Sequence, residues 1–293
     1  MRALPRYVLL ALLTVYLVWG STYFAIHVAL QSFPPFLLMG SRFLVAGGLL
    51  FAWLKWRDTP NPSRLQWRDA GIVGMLLLGG GMGLTAVGQQ YVSSGMTAVF
   101  IACSPMVMSL CAGIFGVWPN KREWLGILTG FCGALLLSGS AELSAQPLGM
   151  IALLGAIICW DLGSVLSQKK LHLAPGAMGF ASEMLLGGAF LCVIGFAKGE
   201  NFNTSITQPA FFAWSYLVVA GSLLAFTAYM YLLSKVRPAL ASSYAYVNPV
   251  IAVALGVIFG GETLAPRAML AMAIILLSVL LITLARKPED AAS

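Results

Sequence analysis

Residues 34–47 read PPFLLMGSRFLVAG, and residues 175–188 read PGAMGFASEMLLGG. Adding 141 carries Pro34 to Pro175, Ser41 to Ser182 and Gly47 to Gly188, and the same offset carries Trp19 to Trp160. Further along the offset is 144: Ile114, Phe115, Gly116 recur as Ile258, Phe259, Gly260, and Pro105 recurs as Pro249. A three-residue insertion separates the two registers. The chain is therefore read as two copies of one unit, residues 1–139 and 140–293, joined near Ser140 to Pro147 within one integral membrane domain.

Composition names the solvent. With 59% apolar and 9% charged residues and a mean hydropathy of +0.88, a soluble domain would lack the polar surface to cover itself. Apolar stretches of about 20 residues, enough to cross roughly 30 Å of hydrocarbon as helices, recur along nearly the whole chain. Ten are expected: Tyr7 to Leu30, Phe36 to Leu54, Ala70 to Gln90, Gly95 to Val117, Trp124 to Gly139, Leu148 to Gln168, Gly176 to Ala197, Phe211 to Leu233, Ala239 to Phe259 and Ala268 to Ala285.

The formal charge of +7 does not point to nucleic acid, because the basic residues are spread between the spans. Arg2 and Arg6 precede span 1; Lys55, Arg57, Arg64 and Arg68 follow span 2; Lys121 and Arg122 follow span 4. Lys169 and Lys170 follow span 6, Lys235 and Arg237 follow span 8, and Arg286 and Lys287 follow span 10. Fourteen of the 17 Lys and Arg thus fall on one side, leaving Lys198 and Arg267 on the other and Arg42 inside a span. The positive-inside rule makes both termini cytoplasmic. Five spans per copy then insert the second copy upside down relative to the first, the arrangement that lets two halves open a central site to one membrane face and then the other. Span 1 is not expected to be a cleaved signal peptide: it is long, no A-x-A site ends it, and its loss would break the five-plus-five symmetry.

Other classes find little support. The five cysteines (Cys103, Cys111, Cys132, Cys159 and Cys192) all lie in apolar spans and suggest neither disulfides nor a metal site. The glycosylation triplet Asn203, Thr204, Ser205 is a short match in a polar loop. No GxxxxGK[ST] run occurs, so ATP is not expected to drive the protein, and neither cofactor nor metal is expected. An enzyme acting on lipid substrates would gather Asp, His or Glu at one membrane face, which two histidines and scattered acids do not provide.

Three features inside the spans are candidates for function. Gly79, Gly80 and Gly81, with Gly83, can soften span 3, whereas Gly126, Gly130 and Gly133 are read as close helix packing in span 5. Pro105 and Pro249 fall mid-span after Ser104 and Asn248; each is read as a kink whose freed carbonyls the polar neighbour satisfies, or as a hinge. Arg42, Asp161 and Glu183 are ionisable groups within spans, costly in lipid by roughly 2.5–3.5 kcal/mol each. Arg42 and Glu183 occupy equivalent positions 141 apart, at opposite depths, and are not expected to pair. Asp161 and Glu183 could form a coupled acidic site that takes up a proton during transport; for Arg42 and Glu183 a structural role is the alternative.

Trp19, beside Gly20, Ser21, Thr22 and Tyr23, and Trp160, beside Asp161, Leu162, Gly163 and Ser164, are repeat mates with small and polar neighbours. Tyr229 and Tyr231 in span 8 and Tyr244, Tyr246 and Asn248 in span 9 add polar groups at depths that interface anchoring does not account for in full. A cavity lined this way suits amphipathic metabolites, while helix packing and aromatic belts account for individual tyrosines. His27, in the last turn of span 1, is read as interfacial.

At Trp19, Gly20, Ser21, Thr22, at Arg42, Phe43, Leu44, at Ser104, Pro105 and at Gly261, Glu262, the sequence resembles the EamA-type drug/metabolite transporter superfamily, and within it the YddG-type amino-acid exporters. The resemblance covers nearly the whole chain. It implies a ten-helix all-α basket around a central cavity, with Trp19, Ser21, Thr22, Gln89, Phe100, Ser104, Trp160, Asp161, Tyr229, Tyr244 and Asn248 as cavity candidates. Two departures stand out: Val117 and Trp118 occupy the place of Gly261 and Glu262 in the first copy, and Asp161, Leu162, Gly163 replace the Gly, Ser, Thr run.

The expectation is a multi-pass protein of the inner (cytoplasmic) membrane that exports small organic metabolites, amino acids including aromatic ones, by alternating access without covalent chemistry. The span 3/4 and 8/9 hairpins would rock around the cavity, with membrane lipids as surroundings and a monomer as the working unit. A drug or toxic-compound exporter, a flippase for lipid-linked substrates and a channel are the competing readings.

Overall fold

A computed structural model describes residues 5–92, 97, 100–138, 146–202, 205–251 and 266–284. The expectations placed on Arg2, Gly95, Gly139, Ser140, Asn203, Thr204, Ile258, Phe259, Gly260, Gly261, Glu262, Ala285, Arg286 and Lys287 lie outside these residues. The described chain is all helical. Its helices are α1 (Arg6–Ala29), α2 (Pro35–Trp56), α3 (Arg64–Gly88), α4 (Ser104–Ile114), α5 (Lys121–Ser138), α6 (Pro147–Lys169), α7 (Ala177–Ala197), α8 (Gln208–Lys235), α9 (Pro238–Ala241) and α10 (Pro266–Leu284). Six of them, α1, α2, α3, α6, α7 and α8, are long and apolar enough to cross a membrane, among the described residues. Of the ten spans expected, α4 and the described apolar part of α10 are shorter.

The helix starts follow from local chemistry. Proline, whose missing N–H costs nothing in a first turn, stands at the beginning of α2, α6, α8 and α9. Ser63 and Gln66 form a reciprocal capping box at α3. At α5, Asn120 Oδ1 accepts from the N–H groups of Arg122 and Glu123 at 3.0 Å each, and Glu123 Oε2 accepts from Asn120 N at 2.7 Å.

Packing is organised by close helix crossings. α2 lies along α7, α5 along α10, α3 against α6 and α7, and α1 against α8. A Cβ on Gly40 would fall 2.5 Å from Cys192 Sγ and 2.9 Å from its backbone N; one on Gly188 would fall 2.9 Å from Leu44 N. In α5, the positions of Gly126, Gly130 and Gly133 meet Ile282, Ser278 and Ile275 of α10, so these glycines serve close packing. In lipid, where apolar burial drives little association, such surfaces let backbones approach closely enough to hold together. Leu9, Leu13, Leu17 and Phe24 of α1 and Leu276, Leu277 and Leu280 of α10 face outward and exposed, as lipid allows and water does not.

Two sets of contacts define opposite ends of the bundle. At one end, His172 N donates to Asp69 Oδ2 at 2.8 Å, Lys170 lies over the Phe115 ring at 6.0 Å, and Arg237 Nε pairs with Glu123 Oε1 at 2.8 Å. This end carries Lys121, Arg122, Lys169, Lys170, Lys235 and Arg237. At the other end, Phe36 and Leu37 N–H donate to the Glu200 carboxylate at 3.2 and 2.8 Å, and Phe33 stacks on Trp214 with ring centres 6.4 Å apart. These contacts tie the α1–α2 turn to the segment between α7 and α8.

The interior differs from the expectation at the prolines. Pro105 is not mid-helix: residues 102 and 103 turn, and Pro105 follows as the second residue of α4. After α9 the chain turns at Ser242 and Ser243 and resumes as helix over 244–251, so Pro249 lies within helical residues and the break falls six residues or more before it. Ser104 and Asn248 do not support kinked carbonyls; both side chains bond across to other helices. α3 and α8 each contain a π-helical stretch, Met75–Gly83 and Leu217–Phe226, in which the backbone is wound one residue wider than in an α-helix.

Candidate functional site

The π stretch of α3 contains Gly79, Gly80 and Gly81 because no larger residue fits there. A Cβ at these positions would lie 2.7 Å from the Phe190 ring, 2.6 Å from Cys159 Cβ and 2.8 Å from the Trp160 ring. The glycines press α3 onto α6 and α7, and Gly81 sets the wall position of Trp160. Around that wall, α1, α3, α4, α6 and the helical residues after α9 enclose a cavity. Its volume is about 50 Å³, room for a few waters.

Six expected residues meet there: Trp19, Thr22, Ser104, Trp160, Tyr244 and Asn248 all line the cavity. Tyr23, Thr85, Met82 and Ile101 line it as well, without having been singled out as candidates. Four aromatic rings are packed into one cluster beside it. Trp19 lies 5.4 Å from Trp160, 5.0 Å from Tyr229 and 4.8 Å from Tyr244, with Trp160 to Tyr229 at 5.2 Å and Tyr229 to Tyr244 at 5.6 Å. The mixture of tilted and edge-on pairs is the arrangement that ring quadrupoles favour.

Hydrogen bonds fix this cluster. Trp19 Nε1 donates to Gly221 O at 3.3 Å, in the π stretch of α8, and Trp160 Nε1 donates to Tyr229 Oη at 3.1 Å. Ser164 Oγ bonds Tyr229 Oη at 2.8 Å. Asn248 Nδ2 donates to Tyr23 Oη at 3.4 Å, and its Oδ1 has no partner among the described residues. Asp161, fully buried one residue after Trp160, accepts from Ser104 Oγ at 2.7 Å through Oδ1, and its Oδ2 has no partner among the described residues.

The remaining candidates fall elsewhere. Ser21 Oγ bonds Tyr216 Oη at 2.6 Å and lies outside the cavity lining. Phe100 packs beside a small cluster of Val92 and Leu153, and Gln89 ends α3 with both polar atoms buried and unpartnered. Tyr246 Oη donates to Ile127 O at 2.7 Å and belongs to the packing of α5. Arg42 is buried; its Nε donates to Ser222 Oγ at 2.9 Å and its guanidinium lies 4.5 Å over the Phe43 ring. Among the described residues neither carboxylate oxygen of Glu183 has a hydrogen-bond partner, so no hydrogen bond joins it to Asp161 or Arg42. His27 is exposed at the end of α1, as an interfacial residue would be.

A second concavity, about 1,080 Å³, opens on the flank of the bundle at the end rich in lysine. It lies between the last turns of α6, the start of α7 and the second half of α8, with Phe180, Leu223, Met230 and Leu233 as apolar walls and Gln168, Ser234 and Lys235 at its polar rim.

The sequence pattern of the EamA-like transporter family matches residues 6–139 and again residues 147–284. An uncharacterized inner membrane transporter of Escherichia coli (strain K12), YedA, is 41% identical over 277 residues, 94% of this chain and 90% of its own. An uncharacterized transporter of Bacillus subtilis (strain 168), YoaV, is 24% identical over 254 residues, covering 85% of this chain and 87% of that one. A solved crystal structure superposes with a TM-score of 0.78 over 94% of this chain and 96% of its own at 19% identity, a likeness of fold alone.

Proposed function

The chain belongs to the EamA-like transporter family as a multi-pass inner-membrane transporter of small molecules, and on that premise we propose that it exports amino acids, aromatic ones included, by alternating access. The cavity between α1, α3, α4, α6 and the residues after α9 is the observation that carries the reading. It draws its walls from both matched segments, with Trp19 from one facing Trp160 from the other at 5.4 Å. Apolar rings with hydroxyls between them suit a substrate that is part hydrocarbon and part polar head.

At about 50 Å³ the cavity is far smaller than a whole amino acid requires. The transport cycle therefore widens it, with α3 and α4 moving against α8 and the chain after α9. The breaks at 102–103 and 242–243 and the two π stretches are where helices of this kind bend most readily. In this reading both termini and the lysine-rich end face the cytoplasm, and the two halves are inverted copies. Asp161 and Glu183 are the carboxyls that would carry a proton across the cycle; among the described residues no hydrogen bond engages either oxygen of Glu183.

Purified protein reconstituted in liposomes, given a panel of labelled amino acids with and without a proton gradient, tests the proposal. Movement of at least one amino acid above protein-free vesicles is expected. If none moves, the amino-acid reading is refuted. One observation favours a second reading: the flank groove of about 1,080 Å³ offers an acyl chain a lateral way in, as a flippase for lipid-linked substrates needs. Flipping of a fluorescent lipid in the same vesicles, with no amino-acid movement, would establish it instead.

A further inference from the structure

The threonine, serine and indole donors on the cavity wall already bond protein oxygens, while the Tyr23 and Tyr244 hydroxyls complete the polar lining as donors or acceptors. Thr22 Oγ1 donates to Trp19 O at 2.8 Å, Thr85 Oγ1 to Gly81 O at 2.8 Å and Ser104 Oγ to Asp161 at 2.7 Å. The indole N–H groups of Trp19 and Trp160 point into protein oxygens as well. What these hydroxyls still offer the cavity is lone pairs, and Asn248 Oδ1 adds another acceptor with no partner. Behind Ser104 stands the fully buried Asp161, whose Oδ2 has no hydrogen-bond partner among the described residues. Among the described residues no Lys, Arg or His lies within 4.0 Å of that carboxylate. The free acceptors at Ser104 and Asn248, an acid with no cation beside it and electron-rich ring faces together favour an occupant that carries a compact cation with several N–H donors.

The geometry points to a subsite for the ammonium group of the substrate: Ser104 and Asn248 accept its hydrogens, Asp161 supplies the counter-charge through Ser104, and Trp19, Trp160 and Tyr244 supply ring faces. The inference rests on the transporter reading and names what its central site selects, namely primary amines with or without a carboxylate. The available 50 Å³ fits such a head while the remainder of the substrate waits on the opening of the helices. The site is one-sided, because the residue 141 positions before Asp161 is Gly20, whose Cβ would strike Ile251 at 2.6 Å.

The test is binding to the purified full chain by isothermal titration. Phenylalanine, leucine and methionine are each compared with their decarboxylated amine and their N-acetylated acid. Amines binding within a few-fold of the amino acid, and N-acetylated forms at least tenfold weaker, are expected; Asp161→Asn should erase the preference and Asp161→Glu retain part of it. Ser104→Ala, which leaves the carboxylate in place, should weaken amine binding several-fold and serves if Asp161→Asn does not fold. Equal binding of acetylated forms, an unchanged preference in folded Asp161→Asn, or no amine bound by the wild type overturns the inference. If liposomes carry acetylated and free amino acids alike, transport stands and the ammonium site falls; if amines bind selectively but nothing is carried, the transport reading falls alone.

Discussion

Replacing Gly81 by alanine puts a methyl group where α3 touches the cavity wall. The added carbon would lie 2.8 Å from Trp160 Cε3 and 3.1 Å from Trp160 Cβ, inside the ~3.5–4.0 Å optimum for carbon contacts. Trp160 has little freedom to retreat. Its Nε1 is bonded to Tyr229 and its ring is wedged between Trp19 and Tyr229, so the strain passes to the α3–α6 spacing. Overpacking of this kind costs about 1–3 kcal/mol, and the better helix propensity of alanine returns up to about 1 kcal/mol. A net loss of roughly 0–2 kcal/mol is expected in stability, with a five- to thirtyfold loss of apparent substrate affinity if ~1–2 kcal/mol of the strain falls on the filled cavity. Gly48→Ala is the control, because nothing lies within 4 Å of its added carbon. Melting temperatures of the purified variants and concentration dependence of uptake into liposomes measure both effects. If Gly81→Ala transports with unchanged apparent affinity and melts at or above Gly48→Ala, the wall position assigned to Trp160 is wrong.

Four further outcomes follow from single contacts. Arg237 and Glu123 form a pair whose side chains are 23% and 3% exposed, so a double-mutant cycle of Arg237→Met and Glu123→Gln should give a coupling of about 1–3 kcal/mol in unfolding, and additivity would refute it. Tyr246→Phe should cost about 0.5–1.5 kcal/mol of stability through the lost bond to Ile127 O and leave uptake intact; loss of uptake would place Tyr246 in the transport path. Glu200→Gln keeps one acceptor for the first turn of α2 and should lower stability by about 0.5–2 kcal/mol, an unchanged melting temperature counting against the cap. Glu183→Gln should weaken gradient-driven uptake while sparing counterflow, and equal effects on both would remove Glu183 from proton coupling.

The membrane class and the long helices were legible because lipid leaves a chain little choice. Every backbone polar group must be bonded within the segment, so apolar stretches such as Phe36 to Leu54 and Gly176 to Ala197 reappear as α2 and α7 with ends moved by a few residues. The breaks were not legible. Pro105 and Pro249 marked the right helices, but the turn at Ser242 and Ser243 is held by their hydroxyls on Pro238 O and Leu240 O and by Tyr16 Oη on Ser243, contacts that no local pattern announces. The π stretch of α3 sits on a glycine cluster, whereas that of α8 contains only Gly221 and gave no signal. At the site, Trp19, Trp160 and Tyr244 stood out as aromatic residues among small or polar neighbours. Tyr23, Thr85 and Met82 did not, because a helix apolar on all sides has no pattern telling which face turns inward.

The two matched segments are alike in architecture and unlike in charge, and the π stretches show where the difference acts. Arg42 in α2 donates to Ser222, whose hydroxyl in turn donates to Leu217 O inside the π stretch of α8. The residue 141 positions on, Glu183 in α7, lies against the corresponding stretch of α3: its carbonyl is 2.6 Å from where a Gly74 Cβ would be, just before Met75. One widened helix is thus engaged from a neighbouring helix by a buried guanidinium through a hydroxyl relay; the other has its Gly81 carbonyl bonded by Thr85 of its own next turn, and among the described residues no hydrogen bond reaches the acidic side chain beside it. A π stretch whose carbonyl is held from another helix, as Trp19 Nε1 holds Gly221 O, resists rewinding more than one held from its own next turn, so α8 should keep its shape while α3 yields. Motion concentrated in α3 would change the Gly81–Trp160 wall first, and with it the access of any substrate to Ser104 and Asp161. Arg42→Met should therefore loosen α8 and raise hydrogen exchange over 217–226, leaving 75–83 as in the wild type; faster exchange in both stretches would show that the two helices move as one.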